Sequence, residues 1–583
     1  MENNNKSQAE LYREERKERL AKAAAKKAKK NPSFSRAKKI LGKVIAVVLV
    51  VAICFGVVGG VLNFFGTPQK VLKVQVSDKD LNFSLAEFNY FYYNVWVNIT
   101  NTSYQYESQY SQYYGEGAGV TITGYDYTKS PASQDYKDDY SSFTGITLKD
   151  LGKESATWAD VMKYGAISQL VQIKYGAKLA KEAGLSMTAD DQKEIDEYIS
   201  SMAETAKEKD YSLDRYLRQA YGNGITEKMI RQIQEEQVLA NAYFEKYATD
   251  TENSITDEQI NDRYNADPDS YNIVSLRAYP FAAEYDEKAD DTAKETARKK
   301  AKALADAFLA SATSEEEFLK LAAAELKKDS ETKDSDPDST TIMKNTYKDD
   351  ITSNISEEAA NWMFNKDRKV GDKAVFTVGE DDFFVVMATA LPKKDTTSAG
   401  NDVRHILFKF PDAQKDAGGK EIPVTDKQKA EVKAEAEKVL AEYLKNPTEE
   451  NFAALTVKYS EDVDSDGKVN NDGIYEGVNA SSNYVESFRN WAIDEARKPG
   501  DVEIIETEYG YHIMYYIKSQ GETWYTNIKE EILGDASTKL IDEIDAKYIQ
   551  PINMDSFILK WAFKAETKHI NQIVVSNLAN SNA

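Results

Sequence analysis

Two histidines lie in sequence contexts that could carry chemistry. The chain has three histidines in 583 residues, and His405 and His512 each lie in a short β-branched and aromatic run, at 403–408 and 509–514. Runs of this kind, bounded by turn residues, predict strands. A single histidine in a strand is usually an ordinary half-buried side chain. Two of them in matching runs, about one small domain apart, indicate one shared site.

The segments between these histidines predict amphipathic helices followed by an Asp-rich loop. This order over residues 400–520 resembles a parvulin-type peptidyl-prolyl isomerase domain. The resemblance implies an α+β fold that catalyses rotation about Xaa-Pro bonds without a cofactor. Rotation about the partial double bond has a barrier of roughly 18–20 kcal/mol. An enzyme lowers this barrier by binding the twisted amide better than either planar isomer.

The resemblance also implies a role for three polar residues. His405 and His512 would be the paired core histidines, on adjacent strands, fixing each other's tautomer by hydrogen bonds. Asp462 would lie where parvulins carry Asp or Cys beside the substrate carbonyl. These three residues are the predicted catalytic group.

An apolar cup for the proline ring is the second part of such a site. The resemblance assigns Phe488 to the cup, with Tyr484 and Ile474 on its walls. Tyr484 stands where the family usually has Met, which would narrow the cup. Residues 470–474 depart from the usual Gly-Gly-Asp-Leu-Gly turn. Both departures affect the expected rate and substrate range more than the expected fold.

The Asp-rich loop also matches the start of a calcium-binding loop. Asp462, Asp464 and Asp466 follow the Asp-x-Asp-x-Asp-Gly pattern. The twelfth position, which should be a bidentate Glu, is Gly473. A solvated acidic turn is therefore the default interpretation, and a weak calcium site is the alternative.

An internal repeat is visible upstream of this domain. Residues 276–281 parallel 403–408, and residues 361–372 parallel 490–501 at a nearly constant offset. A duplicated domain with small insertions would give this pattern. The predicted copies are a first parvulin-like domain at 270–395 and a second at 400–520.

The first copy lacks both histidines. Ala278 is predicted to stand for His405, and Phe383 for His512. The first copy is therefore expected to keep the fold and to have lost the chemistry.

The N-terminus predicts a membrane anchor. Residues 1–43 carry fourteen Lys and Arg against five Asp and Glu, and residues 44–66 are almost wholly apolar. This length spans a bilayer core as a helix, and the basic flank predicts a cytoplasmic N-terminus with the bulk of the chain extracytoplasmic. A cleaved signal peptide is the rival interpretation, weakened by the long basic region before it. The only cysteine, Cys54, lies in this segment, so no disulfide is expected outside the membrane.

Helical patterns surround the two predicted parvulin-like domains. Residues 70–265 predict a helical region, interrupted by a Tyr- and Ser-rich insertion at 101–142 that we expect to be a long loop. The order of its motifs resembles the chaperone region of PrsA- and SurA-like foldases. Residues 521–583 predict a C-terminal helical tail, which by this resemblance would pack on the helical region. His569 in this tail matches no motif.

Taken together, the sequence predicts a multidomain α+β protein with an N-terminal transmembrane helix. A net charge of −23 argues against nucleic acid as a partner. The expected function is that of a membrane-anchored foldase which binds unfolded or nascent secreted polypeptides and isomerises Xaa-Pro bonds. A non-catalytic holdase, with both parvulin-like units as docking platforms, is the main alternative. A wall-associated structural protein is the third.

Overall fold

The computed structural model describes most of the chain from residue 73 onward. These residues divide into two compact units, one of residues 256–529 and the other of residues 73–255 together with residues from 530 onward. The described residues are 73–222, 224–286, 288–328, 330, 332–411, 414–415, 421–464, 467–553, 556 and 559.

Several predicted features lie outside the described residues. They are the basic tail 1–43, the membrane anchor 44–66 with Cys54, and His569. Within the described ranges, no helix is both long enough and apolar enough to span a bilayer. The anchor therefore stays a prediction from the sequence.

Helices dominate residues 73–255. The Thr188 side chain caps the helix that follows it by accepting a hydrogen bond from the Asp191 backbone N–H. The strands are β1 (Lys73–Val74), β2 (Phe83–Ser84), β3 (Asp135–Tyr136) and β4 (Ala156–Thr157), and the helices are α1 (Leu85–Tyr114), α2 (Ala118–Thr123), α3 (Ser141–Thr144), α4 (Trp158–Glu182), α5 (Ala189–Glu208), α6 (Leu213–Tyr221) and α7 (Glu227–Ser254).

The other unit begins at residue 256. The helical region was predicted to extend to residue 265, but the helix that contains residues 257–265 belongs to the α+β unit. This helix and the first repeat comprise α8 (Asp257–Ala266), β5 (Asn272–Ala282), α9 (Asp291–Ser311), α10 (Glu315–Leu326), α11 (Pro337–Thr341), β6 (Ile342–Thr346), α12 (Lys348–Asn354), α13 (Glu357–Met363), β7 (Lys373–Val378) and β8 (Asp382–Lys394).

The second repeat follows directly. Its elements are β9 (Asn401–Lys409), β10 (Gln414–Lys415), β11 (Glu421–Ile422), α14 (Asp426–Tyr443), α15 (Glu449–Tyr459), β12 (Ile474–Val478), α16 (Glu486–Ala492), β13 (Val502–Glu506) and β14 (Gly510–Ser519). Helix α17 (Thr523–Ile544) comes next, and a π-helical turn, Asp545–Ile549, ends it.

The two repeats share one topology. The strand order is β6-β5-β8-β7 in the first and β12-β9-β14-β13 in the second, and all pairs are antiparallel. In both, the long second and third strands in this order lie at the centre of the sheet. The four strands of the two sheets correspond one to one, as expected for two copies of one α+β unit.

The second sheet is covered on both faces, which explains why β9 is buried along nearly its whole length. One face packs against α14 and α15 through Ile406, Phe408 and Ile513. The opposite face carries Val403 and Met514, which pack against α16. Because side chains alternate between the faces of a strand, residues of even and odd number on β9 have different neighbours.

The register corrects one residue assignment in the first repeat. Phe384 pairs with Pro280, as His512 pairs with Leu407 at the corresponding position of the second repeat. Phe384, not the predicted Phe383, therefore takes the place of His512. A shift of one residue moves a side chain to the other face of a sheet. The predicted Phe383 lies in the core between the sheet and the α9–α10 pair.

Tyrosine and tryptophan form much of the core of the helical unit, and this overturns the prediction of a long loop at 101–142. Helix α1 continues to Tyr114, and Tyr125 is fully buried. The Trp96 indole donates to the Tyr125 hydroxyl at 3.0 Å, and Ser103 donates to the Tyr125 carbonyl at 2.7 Å. The prediction was wrong because tyrosine rings bury large apolar areas while their hydroxyls find partners.

The end of the described chain packs on the helical unit, as predicted for the C-terminal tail. Ile544, Tyr548 and Ile549 belong to the same hydrophobic core as helices α1 and α4. Polar contacts add to this packing, since the Tyr164 hydroxyl donates to Asp545 Oδ2 at 3.1 Å.

A cation–π cluster lies where the chain enters and leaves the α+β unit. Lys394 Nζ, at the end of β8, is 3.9 Å from the ring centroid of Tyr264 on α8 and 3.6 Å from that of Trp524 on α17. The two rings meet edge to face at 5.4 Å. The first helix of the unit, the end of its first repeat and the helix after its second repeat therefore meet at one lysine.

We predict that the C-terminal segment stabilises the helical unit. Ile549 is fully buried, so Ile549→Ala should cost roughly 2–5 kcal/mol, the usual range for removing such a side chain from a core. Ile122, 36% exposed in the same unit, gives a matched Ile→Ala control that should cost much less. Hydrogen exchange of α4 peptides, measured by mass spectrometry, should show faster opening only in the first variant. Equal protection in both would contradict the packing.

Candidate active site

The two predicted histidines meet in the middle of the second sheet. His405 on β9 pairs with Met514, and His512 on β14 pairs with Leu407, so the histidines are diagonal neighbours on one face. Their Nδ1 atoms are 2.8 Å apart, and their rings stack with an interplanar angle of 19°. His405 is 2% exposed and His512 6% exposed. The arrangement predicted for them, side by side on adjacent strands, is confirmed.

Hydrogen bonds extend this pair in both directions. At one end, His405 Nε2 is 3.1 Å from Asp462 Oδ2, which brings the third predicted catalytic residue into the group. At the other end, the Thr507 hydroxyl is 2.9 Å from His512 Nε2. We missed Thr507 in the sequence, although its position in the turn five residues before His512 was visible there. The four side chains form one continuous chain of contacts.

The direction of these bonds follows from what each group can donate. The Asp462 carboxylate accepts only, so His405 donates its Nε2–H to it. With His405 neutral, its Nδ1 then accepts from the His512 Nδ1–H, and His512 Nε2 accepts from the Thr507 hydroxyl. A doubly protonated His405 would still donate to Asp462, but its Nδ1–H would donate to His512 Nδ1, and the His512 proton would then lie on Nε2. Each histidine thus sets the tautomer of the other.

Burial and the adjacent His405 ring lower the pKa of His512 to about 3. Burial lowers the pKa because it penalises the charged imidazolium form of His512. A positive charge on the His405 ring repels that form as well. His512 is therefore neutral at physiological pH.

Asp462 is held as a carboxylate by three donors. The Tyr475 hydroxyl donates to Oδ2 at 2.6 Å, and the Asn470 amide donates to Oδ1 at 3.0 Å, in addition to His405. The hydrogen bond from His405, followed by those from Tyr475 and Asn470, holds the pKa of Asp462 well below its usual range, although burial opposes this. The site therefore contains a fixed negative charge next to the histidine pair.

An aromatic cup lies on the same face of the sheet. Phe488 of α16 contacts His405 and His512, with ring centroids at 5.4 and 5.8 Å. Tyr484 packs at 5.5 Å from Phe488 and is 37% exposed, so it lies at the rim. Two of the three residues that the sequence assigned to the cup, Phe488 and Tyr484, are thus brought together, with Phe488 against the histidines, and their roles in binding proline stay a prediction.

Ile474 is not part of this cup. It pairs with Arg404 across β12 and β9, and Arg404 neighbours His405 in the strand, so Ile474 lies on the opposite face of the sheet. Tyr475 takes the predicted place, with ring centroids 5.0 Å from His405 and 5.4 Å from Phe488. The preceding turn sets this register and could not be read from residue types alone.

That turn is unusual in its backbone. Asn471 and Asp472 both have positive φ angles, of 45° and 50°, and Gly473 follows with 75°. A Cβ on Gly473 would lie 2.7 Å from the His405 carbonyl oxygen and 2.5 Å from Thr456 Cγ2. Only glycine fits, so the turn packs directly beneath the histidine strand.

The calcium interpretation depends partly on Asp466, which lies outside the described residues. Among the residues that the structure describes, no group of three acidic, His or Cys side chains is arranged to hold a metal ion. Asp462 accepts hydrogen bonds from protein donors through both oxygens, and Asp464 Oδ1 accepts from the Lys468 backbone N–H at 3.0 Å. Calcium would compete with these donors.

The same register positions in the first repeat carry no comparable polar group. Ala278 and Phe384 replace the histidines, and Met343, which pairs with Leu276 as Tyr475 pairs with Val403, replaces the tyrosine. These three side chains pack against the first repeat's own apolar core. The first repeat therefore has the sheet without the hydrogen-bonded network.

Residues 405–518 match the protein family described as rotamase, PPIC-type PPIASE domain. The match begins at His405 and includes Asp462, Phe488 and His512. The chain therefore carries a parvulin-type domain, and this domain is a peptidyl-prolyl cis-trans isomerase. A search of curated proteins found no match to the chain.

We predict that His512 remains neutral from about pH 8 to about pH 5. The chain has three histidines, so histidine-labelled protein should give three sets of imidazole NMR signals, which His512→Gln and His569→Gln would assign. The His512 signals should not titrate in this range. A His512 midpoint near the ordinary value of about 6.5 would contradict the buried network.

Acid should also destabilise the second repeat through this residue. The folded pKa of about 3 lies below the unfolded value of about 6.5, so between these values the unfolded state binds more protons. The loss of folding free energy should reach roughly 2 kcal/mol at pH 5. Hydrogen exchange of β14, corrected for intrinsic rates, should show this loss in the wild type and a smaller one in His512→Gln. The same pH dependence in both proteins would argue against a neutral buried His512.

Proposed function

We propose that this chain is a membrane-anchored, extracytoplasmic foldase of the PrsA/SurA-like kind. Its isomerase domain would act on Xaa-Pro bonds in unfolded or nascent secreted polypeptides. The observation that carries the catalytic part is the network from Thr507 through His512 and His405 to Asp462, next to the Phe488 cup, inside a matched isomerase domain.

The charge of Asp462 suggests how the site lowers the rotational barrier. Amide resonance places negative charge on the carbonyl oxygen and gives the C–N bond its double-bond character. A carboxylate fixed beside that oxygen disfavours this charge-separated form by Coulomb repulsion. With the proline ring held against Phe488, the twisted amide is destabilised less than the planar one. The histidines keep the carboxylate in place and need not transfer a proton.

The helical unit is our candidate for holding the unfolded client. The end of α1 and the adjoining α2 expose apolar and aromatic side chains, with Tyr113 74% exposed and Val120 and Ile122 more than a third exposed. Contiguous exposed apolar surface typically marks a binding site for another chain. An unfolded secreted polypeptide offers the matching apolar side chains.

The proposed location depends on the sequence alone. The apolar segment 44–66 and its basic flank 1–43 support a single-pass anchor with the folded units outside the cytoplasm. An anchored foldase would meet its clients as they emerge from the membrane.

A non-catalytic holdase is the second candidate. The observation in its favour is the first repeat, where Ala278, Phe384 and Met343 stand at the positions of the network residues. We infer that a repeat of this kind contributes by binding and not by catalysis. If Tyr484 narrows the cup of the second repeat enough, that repeat would act in the same way.

We predict that catalysis and client protection are separable. The full chain should accelerate cis-to-trans relaxation of Xaa-Pro peptides, and His405→Ala/His512→Ala should lose this activity because Asp462 is no longer positioned. The same variant should still suppress aggregation of an unfolded secreted protein. As a matched control, Phe384→Ala changes the position in the first repeat that corresponds to His512, and it should leave isomerisation unchanged.

The outcomes distinguish the two candidates. Loss of isomerisation with retained protection would support a foldase with separate binding and catalytic parts. No catalysis by the folded wild-type chain, across several residues before proline, would leave the holdase as the function. Loss of both activities in a folded double variant would place client binding in the isomerase domain and overturn the assignment of the helical unit.

A further inference from the structure

One residue joins the polar network to the aromatic cup, and nothing in the sequence had assigned it a role. Tyr475 donates its hydroxyl hydrogen to Asp462 Oδ2 at 2.6 Å. Its ring contacts His405 at 5.0 Å, Phe488 at 5.4 Å and Tyr484 at 5.4 Å between centroids. Both halves of the site therefore touch the same side chain.

We propose that Tyr475 is a positioning residue of the isomerase: its hydroxyl fixes the Asp462 carboxylate beside the bound amide, and its ring forms the wall of the cup between His405 and Phe488. This proposal rests on the isomerase activity of the domain. It gives the hydroxyl and the ring separate consequences for catalysis and for binding.

The position of Asp462 in the fold explains why such a residue is needed. Asp462 follows helix α15 in the irregular segment between α15 and β12, where its backbone carbonyl accepts from the Asn470 N–H at 3.1 Å and its carboxylate is oriented by donors from other side chains. Two of its donors, His405 and Tyr475, lie on neighbouring strands of the sheet and reach the same oxygen. A site built on loops becomes accurate when rigid elements hold its groups. The hydrogen bond from Tyr475, at 2.6 Å, is shorter than the one from His405, at 3.1 Å.

The orientation of Tyr475 is itself strongly determined. Its backbone pairs with Val403 on the histidine face of the sheet, and three rings pack around its own. A hydroxyl donating to an ionised carboxylate forms a short and strong hydrogen bond. Burial raises the pKa of the Tyr475 hydroxyl, and the Asp462 carboxylate raises it further, so the hydroxyl stays protonated and remains a donor. The bond is therefore present throughout the physiological pH range.

The first repeat offers an internal comparison. Met343 stands at the position of Tyr475, in the repeat that also lacks both histidines. Methionine fills a similar apolar space and has no hydroxyl to donate. The tyrosine hydroxyl thus occurs in the repeat that has a network to position.

The test separates the hydroxyl from the ring in the full-length chain. Tyr475→Phe should lower kcat for Xaa-Pro relaxation about tenfold and change KM less than twofold, since only the hydroxyl that holds Asp462 is lost. Tyr475→Ala should also raise KM, because the wall of the cup is gone. Tyr511→Phe is the matched control: its hydroxyl donates to Glu506 Oε2 at 2.9 Å from the opposite face of the same sheet. The control should keep wild-type kcat and KM.

A double-mutant cycle with Asp462→Asn shows whether Tyr475 acts through Asp462. Residues that work as a unit give strongly non-additive effects. Adding Tyr475→Phe to Asp462→Asn should therefore cause no further loss of kcat. A fully additive loss, or wild-type kcat in a folded Tyr475→Phe variant, would overturn the proposal. An inactive wild-type chain would instead count against the isomerase activity itself, so the two failures are distinguishable.

Discussion

The site depends on one constraint, which is that two imidazoles buried 2.8 Å apart cannot both donate at the atoms that face each other. One Nδ1 must donate and the other accept, and each ring is left with a second nitrogen that also needs a partner in a buried place. Thr507 and Asp462 supply these partners at the two ends. Once both ends are fixed, the tautomers, the ring orientations and the place of the carboxylate follow from one another.

The same constraint explains how the two repeats differ. A buried polar group without its partner costs roughly 1–3 kcal/mol, so a network of this kind is expected to be kept whole or replaced whole. The first repeat has Ala278, Phe384 and Met343 at the corresponding positions, all apolar. The sheet needs only shape and apolar surface at these places, and that is why one topology supports both a polar site and a purely apolar interior.

Residue types predicted the large features well. The strands around His405 and His512 and the duplication were visible because each depends on local pattern, and the resemblance to parvulins supplied Asp462 as the acidic partner. The predictions that were wrong depended on strand register or on packing against residues distant in sequence. Phe383 was chosen for Phe384 and Ile474 for Tyr475, each an error of one residue, which on a strand is an error of a whole face. Residues 101–142 were predicted to be a loop because their own sequence does not show which tyrosines are buried. That burial depends on partners outside the segment, such as Trp96 and Trp158 around Tyr125.

The cluster at Lys394 bears on how such a chain could be assembled. Tyr264 and Trp524 flank the lysine, although 260 residues of sequence separate them, so the chain enters and leaves the α+β unit at neighbouring points. A segment whose two ends lie close together can be inserted into a host fold without stretching it. The helical unit, built from residues before 256 and after 529, has the form of such a host. The tandem repeats then form one continuous insertion with cores of their own, in a fold built from the chain on either side of them.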